Sequence, residues 1–241
     1  MKMKRLVFAI TLMLATVITF AQDAKNVELK NKASELKNAG NAEYKKKNYA
    51  GALASWEKYQ GAWKAYMAVD KEAKEDNSTY YNMATCARKL KDYDKAMSLL
   101  NTCVEKKYKA DAATYYIAYC HKKKGDDAKA REVFEKGLQE FGGSKFARNF
   151  RKQVTVYMNK DAAAIFNAAN DISGKATGKP AAEYLAIMKK AVAKFNQAKA
   201  EFNKVLKVDP KNKTAAAGLQ NINAAIQAYK DYKAQLDAQK K

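Results

Sequence analysis

Asp92-Tyr93-Asp94-Lys95-Ala96 and Asp126-Asp127-Ala128-Lys129-Ala130 are the two stretches on which the fold turns. Each puts an aspartate four places before an alanine, and the two alanines stand 34 residues apart. The same shape occurs earlier as Asn48-Tyr49-Ala50-Gly51-Ala52 and, shortened, later as Asn196-Gln197-Ala198. Ala198 lies 68 residues beyond Ala130, and the midpoint, Ala164, is also alanine. Ala52 precedes Ala96 by 44 residues, one period plus a ten-residue insertion. Self-similarity at a fixed spacing marks a repeat architecture, in which each unit buries its apolar face only against its neighbours.

The surrounding composition is helical. Pro180 and Pro210 are the only prolines, there are ten glycines, and Ala, Lys, Tyr and Leu run throughout. Little of this punctuates a β-rich fold. Four residues after the period alanines come Trp56, Leu100, Phe134 and Phe202, large enough to fill space toward a next unit. Upstream stand Gly40, Ala84, Ala118 and Ala186, small where a first helix must pass close to a second.

This pattern resembles the tetratricopeptide repeat family over most of the chain. The first unit reads Leu36, Ala39-Gly40, Tyr44, Ala52 and Trp56; the second Tyr80, Met83-Ala84, Ala87, Ala96 and Leu100. The third reads Thr114, Ile117-Ala118, Ala130 and Phe134. A fifth reads Leu185-Ala186, Ala198 and Phe202, with Pro210 twelve residues after Ala198, where the family ends a helix. The resemblance implies an all-α fold: an α-solenoid of about five helical hairpins with a C-terminal capping helix. Units one to three are expected over 22–144, with an insertion near 61–77 that lengthens the second helix of unit one. A degenerate repeat and a flexible segment are expected over 145–178, because Arg151-Lys152 replaces an apolar-small pair and Ser173 to Pro180 is rich in breakers. A last unit and the cap are expected over 179–241, the cap being a long helix through Ala215, Leu219, Ile222, Ile226, Tyr229 and Leu236.

Residues 1–21 read as a signal peptide. Lys2, Lys4 and Arg5 precede an apolar run from Leu6 to Ile18, and Thr19-Phe20-Ala21 supplies small residues for cleavage after Ala21. The run is short for a bilayer span, so no membrane span is expected after cleavage. Export to a Gram-negative periplasm, or secretion, follows as the expected location.

The formal charge is +21, and removing the three positive charges of the first 21 residues leaves +18. Only five of the 46 basic residues are arginine. Lysine is a solvated point charge, whereas arginine carries the planar fork suited to phosphate. Spread lysine therefore argues against sequence-specific nucleic-acid binding and for solvated helix faces or weak attraction to anionic surfaces. A basic binder of anionic polymer, polysaccharide or nucleic acid, is the alternative to a scaffold.

Catalytic groups are sparse, and an enzyme is not expected. His121 is the only histidine, no phosphate-cradling Gly-rich loop occurs, and neither G-x-S-x-G nor H-E-x-x-H is present. No cofactor, metal or small-molecule substrate is expected. Asp126-Asp127 suit a helix N-terminus better than an acid/base pair. Cys86 and Cys120 occupy equivalent places 34 residues apart. Neighbouring helices lie about 8–10 Å apart, far for a disulfide. Cys103, on the side of unit two that should face unit three, makes Cys103–Cys120 the better bridge candidate in an oxidising compartment. Three buried free thiols are the other arrangement.

The resemblance also implies a groove lined by the first helices, able to hold a protein or an extended, acidic peptide. Its register assigns Lys37, Asn41 and Tyr44 in unit one, Tyr81, Asn82, Arg88 and Lys89 in unit two, and Tyr115, Tyr119 and Lys122 in unit three as partner-binding residues. The opening Lys37-Asn38-Ala39-Gly40-Asn41 resembles tetratricopeptide adaptors whose carboxylate clamp grips a C-terminal carboxylate. Lys37, Asn41 and Asn82 match three of its five positions, while Ala112 and Tyr116 stand at the other two. The clamp is incomplete, and a groove without it is the broader expectation.

Overall fold

The computed structural model describes residues 2–239, with side chains from Gln22 onward. The expected signal segment, residues 1–21, lies outside the residues whose side chains are described. Every regular element described is an α-helix: α1 (Lys2–Lys45), α2 (Tyr49–Val69), α3 (Asn77–Lys89), α4 (Tyr93–Glu105), α5 (Ala110–Lys123), α6 (Asp127–Glu140), α7 (Ala147–Gly174), α8 (Ala181–Val208) and α9 (Lys213–Ala238). They fall into two compact units, residues 1–130 and 131–241, with the division inside α6. No helix among the described residues is long and apolar enough to cross a membrane.

In the first unit consecutive helices pack on one another, α1 on α2 through α4 on α5. The recurring aspartate and asparagine set the turns. Lys47, Lys91 and Gly125 each adopt positive φ, at 62, 64 and 86°. The next residue's amide then reaches back, from Asn48 to the Glu43 carbonyl, from Asp92 to Ala87 and from Asp126 to His121, at 2.9–3.0 Å. That satisfies carbonyls orphaned at a helix end. The same three side chains accept the amides of Gly51, Lys95 and Lys129 at 3.0–3.1 Å, starting the following helix. One residue closes one helix with its backbone and opens the next with its side chain.

The small residues sit where helices touch. Ala52, Ala84, Ala96 and Ala118 are wholly buried. A Cβ on Gly40 would lie 2.5 Å from the Trp56 ring, so α1 can pass over α2 only with glycine there. Ala52, Leu53 and Trp56 of α2 share one apolar cluster with Met83 and Cys86 of α3. α2 runs on to Val69 and is followed by a loop from Asp70 to Asp76. Three aromatics of α2 pin that loop: Tyr59 donates to Asp76, Trp63 Nε1 to the Lys74 carbonyl at 3.0 Å, and Tyr66 to Asp70.

The second unit departs from the 34-residue hairpin. Fourth and fifth units of two short helices are expected, but α7 and α8 each run unbroken for 28 residues and pack together, with α9 against both. Ala164 and Ala186 are exposed rather than packed between helices. The reason lies in the capping positions. Counting on by 34 from Asp126 gives Lys160 and then Lys194. Lysine has no acceptor for an N-cap. No glycine or proline interrupts either stretch before Gly174 or Pro210, so the helices propagate. Asn196 stands two places before Ala198 instead of four, and lies inside α8. The breaker-rich segment falls between α7 and α8, with Gly178 at φ 74°, and the expected long terminal helix is α9. Ala162, Ala191, Phe195, Ala198, Phe202 and Ile222 form this unit's core.

Candidate partner-binding face

The face expected to meet a partner is built by α3 and α5 of the first unit. Tyr81 of α3 meets Tyr116 of α5 edge-on, with ring centroids 6.5 Å apart. Tyr115 and Tyr119 flank Tyr116 at 5.4 and 6.4 Å, also edge-on. Helical spacing puts Tyr81 and Arg88 two turns apart on one side of α3, so Arg88 reaches the same cluster. Its guanidinium lies 3.5 Å from the Tyr116 ring centroid and 5.9 Å from that of Tyr119. Lys109, held at φ 48° before α5, places its ammonium 4.8 Å from the Tyr81 centroid, and Lys123 lies 5.6 Å from that of Tyr119. Burial first, and then Tyr116, push the Tyr81 hydroxyl up to about 12, so the phenol stays neutral across ordinary pH. The result is a rigid sheet of tyrosine carrying cations on its rings.

Other expected residues lie elsewhere. Lys37 is not waiting for a ligand: its ammonium is 2.9 Å from Asp76 Oδ2 and 5.6 Å from the Tyr59 ring centroid. Asp76 also accepts from Tyr59 at 2.9 Å, Thr79 Oγ1 at 2.7 Å, and the Ser78 amide and hydroxyl at 3.2 and 2.5 Å. Burial alone would raise this carboxyl, but the Ser78, Lys37, Thr79 and Tyr59 bonds outweigh it and hold it well below the usual range. A carboxylate of the chain itself thus takes the lysine of the expected clamp. Tyr44 packs at the α1–α2 turn against Tyr49 and Trp56, at 5.8 and 5.7 Å. Asn41, Asn82, Lys89 and Lys122 are exposed on their helices.

Family models of the tetratricopeptide repeat match residues 78–105 and 112–144. The chain carries two tetratricopeptide repeats. The matched repeats are the α3–α4 hairpin and the α5–α6 helices, so the tyrosine face belongs to the first helices of both. Among solved structures, a tetratricopeptide repeat protein from Bacteroides fragilis is similar, with 19% identity and a TM-score of 0.50, over 80% of this chain and 98% of that one. The TPR2AB domain of yeast Sti1, in its pHSP90 complex, aligns over 87% of this chain and 90% of that one at 22% identity and a TM-score of 0.40. No curated relative matches the chain. The repeats make the fold an all-α helical solenoid.

The remaining chemistry of the tetratricopeptide helices is quiet. Cys86, Cys103 and Cys120 are free and buried, so the candidate Cys103–Cys120 bridge is not formed and the arrangement is that of three buried thiols. Burial pushes all three thiols up to about 11. His121 Nδ1 lies 3.6 Å from Asp126 Oδ2 at the α5–α6 turn. The family register finds Tyr81, Tyr115, Tyr119 and Arg88, which the fold brings together. It also turns Tyr116 into the groove, where that residue stands at a lost clamp position, and it misses Lys109, which precedes α5 in a left-handed conformation no helical register describes.

Proposed function

We propose that the protein is a non-catalytic scaffold that holds a partner protein, or an extended peptide from one, against the face shared by α3 and α5. The observation that carries this is the Tyr81–Tyr116–Arg88 cluster, which joins the first helices of two successive repeats. Tyrosine gives large contact area with little conformational entropy to lose, and a polar tip for hydrogen bonding. Solenoid repeats use such surfaces for binding rather than chemistry. The thiols support the non-catalytic reading: pushed up to about 11, they are protonated and poor nucleophiles at neutral pH.

We also place the protein outside the cytoplasm, in the bacterial envelope or secreted. The support is the basic start, the apolar run and Thr19-Phe20-Ala21. N-terminal sequencing of the exported protein should begin at Gln22, and a start at Met1 would remove this part. The scaffold reading is tested by affinity capture from envelope extracts with wild type and with Tyr81→Ala/Tyr119→Ala. Loss of specific bands in the double variant is expected; an unchanged set refutes the face. A second reading, weak binding of anionic polymer, draws on the formal charge, +21 for the full chain and +18 from Gln22 onward, and on its lysine bias. It requires affinity that falls steeply with salt and depends on no single residue.

A further inference from the structure

Between Glu140 and Asp161 the sequence has no acidic residue and five basic ones: Lys145, Arg148, Arg151, Lys152 and Lys160. Two of the chain's five arginines are among them. All but Lys145 lie on α7. Steps of four residues stay on one side of a helix, so Arg148, Lys152, Val156 and Lys160 make one ridge, about 18 Å long at about 1.5 Å per residue. All four are exposed, Val156 by 49%. The ion pairs described in this unit lie off the ridge: Arg131 with Glu135 and Asp161, Lys179 with Glu183, and Lys204 with Glu201. Asp161, the next acid along the chain, is thus turned toward α6. The helix gains nothing from this arrangement. α7 has no acid in its first turn, where the dipole favours one, and Arg148 stands there instead. Like charges four residues apart, at Arg148 and Lys152, also oppose the helix. An anionic surface outside the chain would offset both.

We propose that this ridge docks on an anionic lipid bilayer, with α7 lying along the headgroups rather than entering the hydrocarbon. Each lysine or arginine brought to an anionic leaflet is attracted by its surface potential, and the arginine fork suits lipid phosphates. Val156 decides between a bilayer and a soluble polyanion. It sits between Lys152 and Lys160, and on an interfacial helix an apolar side chain passes the headgroups into the acyl boundary. A soluble polyanion offers no such layer. A straight ridge also meets a flat surface along its whole length. Ala163 and Asn167 continue the same side of α7 without a carboxylate. The ridge shares no residue with the tyrosine face of α3 and α5, so either can hold without the other.

The test is co-sedimentation of the exported chain with mixed phosphatidylcholine–phosphatidylglycerol vesicles at low salt, with pure phosphatidylcholine vesicles beside them. Binding should need the anionic lipid and weaken as salt rises. Arg148→Gln/Lys152→Gln should weaken it about 30-fold, since each cation near such a surface contributes about fivefold. Lys189→Gln/Lys190→Gln removes the same charge from exposed positions on α8 and should weaken it by less than about threefold. Val156→Ser should weaken vesicle binding about threefold and leave any retention by soluble sodium polyphosphate unchanged. Equal losses in the two double variants would mean diffuse charge and overturn the ridge. Vesicle binding indifferent to Val156→Ser overturns the lipid assignment. So does polyphosphate binding that falls with Arg148→Gln/Lys152→Gln as steeply as vesicle binding. Retention on pure phosphatidylcholine that no variant changes overturns it too. Removing the repulsion should leave the melting midpoint of Arg148→Gln/Lys152→Gln unchanged or higher. A clear fall would make the two cations structural and would also overturn the proposal.

Discussion

Replacing Asp76 with alanine should destabilise the first compact unit far more than loss of one helix cap. Asp76 gathers donors from three helices: Lys37 of α1, Tyr59 of α2, and Ser78 and Thr79 of α3. The cap to the Ser78 amide is worth about 1 kcal/mol. Tyr59 and Thr79 are 2% and 1% exposed, so each would keep a buried hydroxyl without its acceptor. Such an orphaned group costs about 1–3 kcal/mol. Lys37 adds little, because its side chain is 41% exposed and the pair is screened by solvent. The contributions overlap, so the expected loss is about 3 kcal/mol, or roughly 10–15 °C in the melting midpoint of a unit this size.

The protein carries its own reporter for this. Both tryptophans, Trp56 and Trp63, lie on α2, and Trp63 packs against Tyr59 with ring centroids 5.9 Å apart, so tryptophan emission follows the first unit. Urea titrations of Asp76→Ala and Asp92→Ala make the comparison, since Asp92 is an exposed cap accepting from Lys95 N at 3.1 Å. Equal losses in the two variants would refute the hub. Acid gives a second, independent check. The folded-state pKa of Asp76 is lowered, so its stabilisation is complete above the unfolded value of about 3.9 and fades as pH falls below it. The advantage of wild type over Asp76→Asn should therefore hold near neutrality and shrink below about pH 4. An advantage undiminished at about pH 2 would mean that the ionised carboxylate is not what the network needs.

Gly40→Ala should destabilise by about 1–3 kcal/mol although alanine is the better helix former, because its Cβ would meet the Trp56 ring at 2.5 Å; a stabilised variant in urea would show that the ring yields. Amide exchange at 158–161 should be as slow as in the rest of α7, since the helix is continuous there; fast exchange would restore the two-helix fourth repeat. Ellman's reagent should find three thiols in denaturant but react slowly with the folded protein, where burial pushes each thiol up to about 11. Fewer than three in the denatured, non-reduced chain would bring back a disulfide.

How far the sequence could be read depended on which residue carried the signal. Asn48, Asp92 and Asp126 each do two local jobs, closing one helix and capping the next, so their spacing reports the hairpins directly. The alanines report less. Ala52 and Ala96 are buried between helices, yet Ala164 keeps the same period while exposed in the middle of α7. Alanine favours any helix, so its recurrence cannot separate a hairpin from a long helix; the lysines at 160 and 194 could have done so. The tyrosine face divides the same way. Tyr81, Arg88, Tyr115 and Tyr119 follow from helical register alone, because α3 and α5 are ordinary first helices. Lys37 satisfies that register equally well, but the insertion before α3 delivers Asp76 to it. Register fixes which way a side chain points; only the packed chain fixes what it meets there. Lys37 and Arg88 both fall on groove positions of the repeat, but the chain brings a carboxylate to Lys37 and leaves Arg88 Nε without an acceptor.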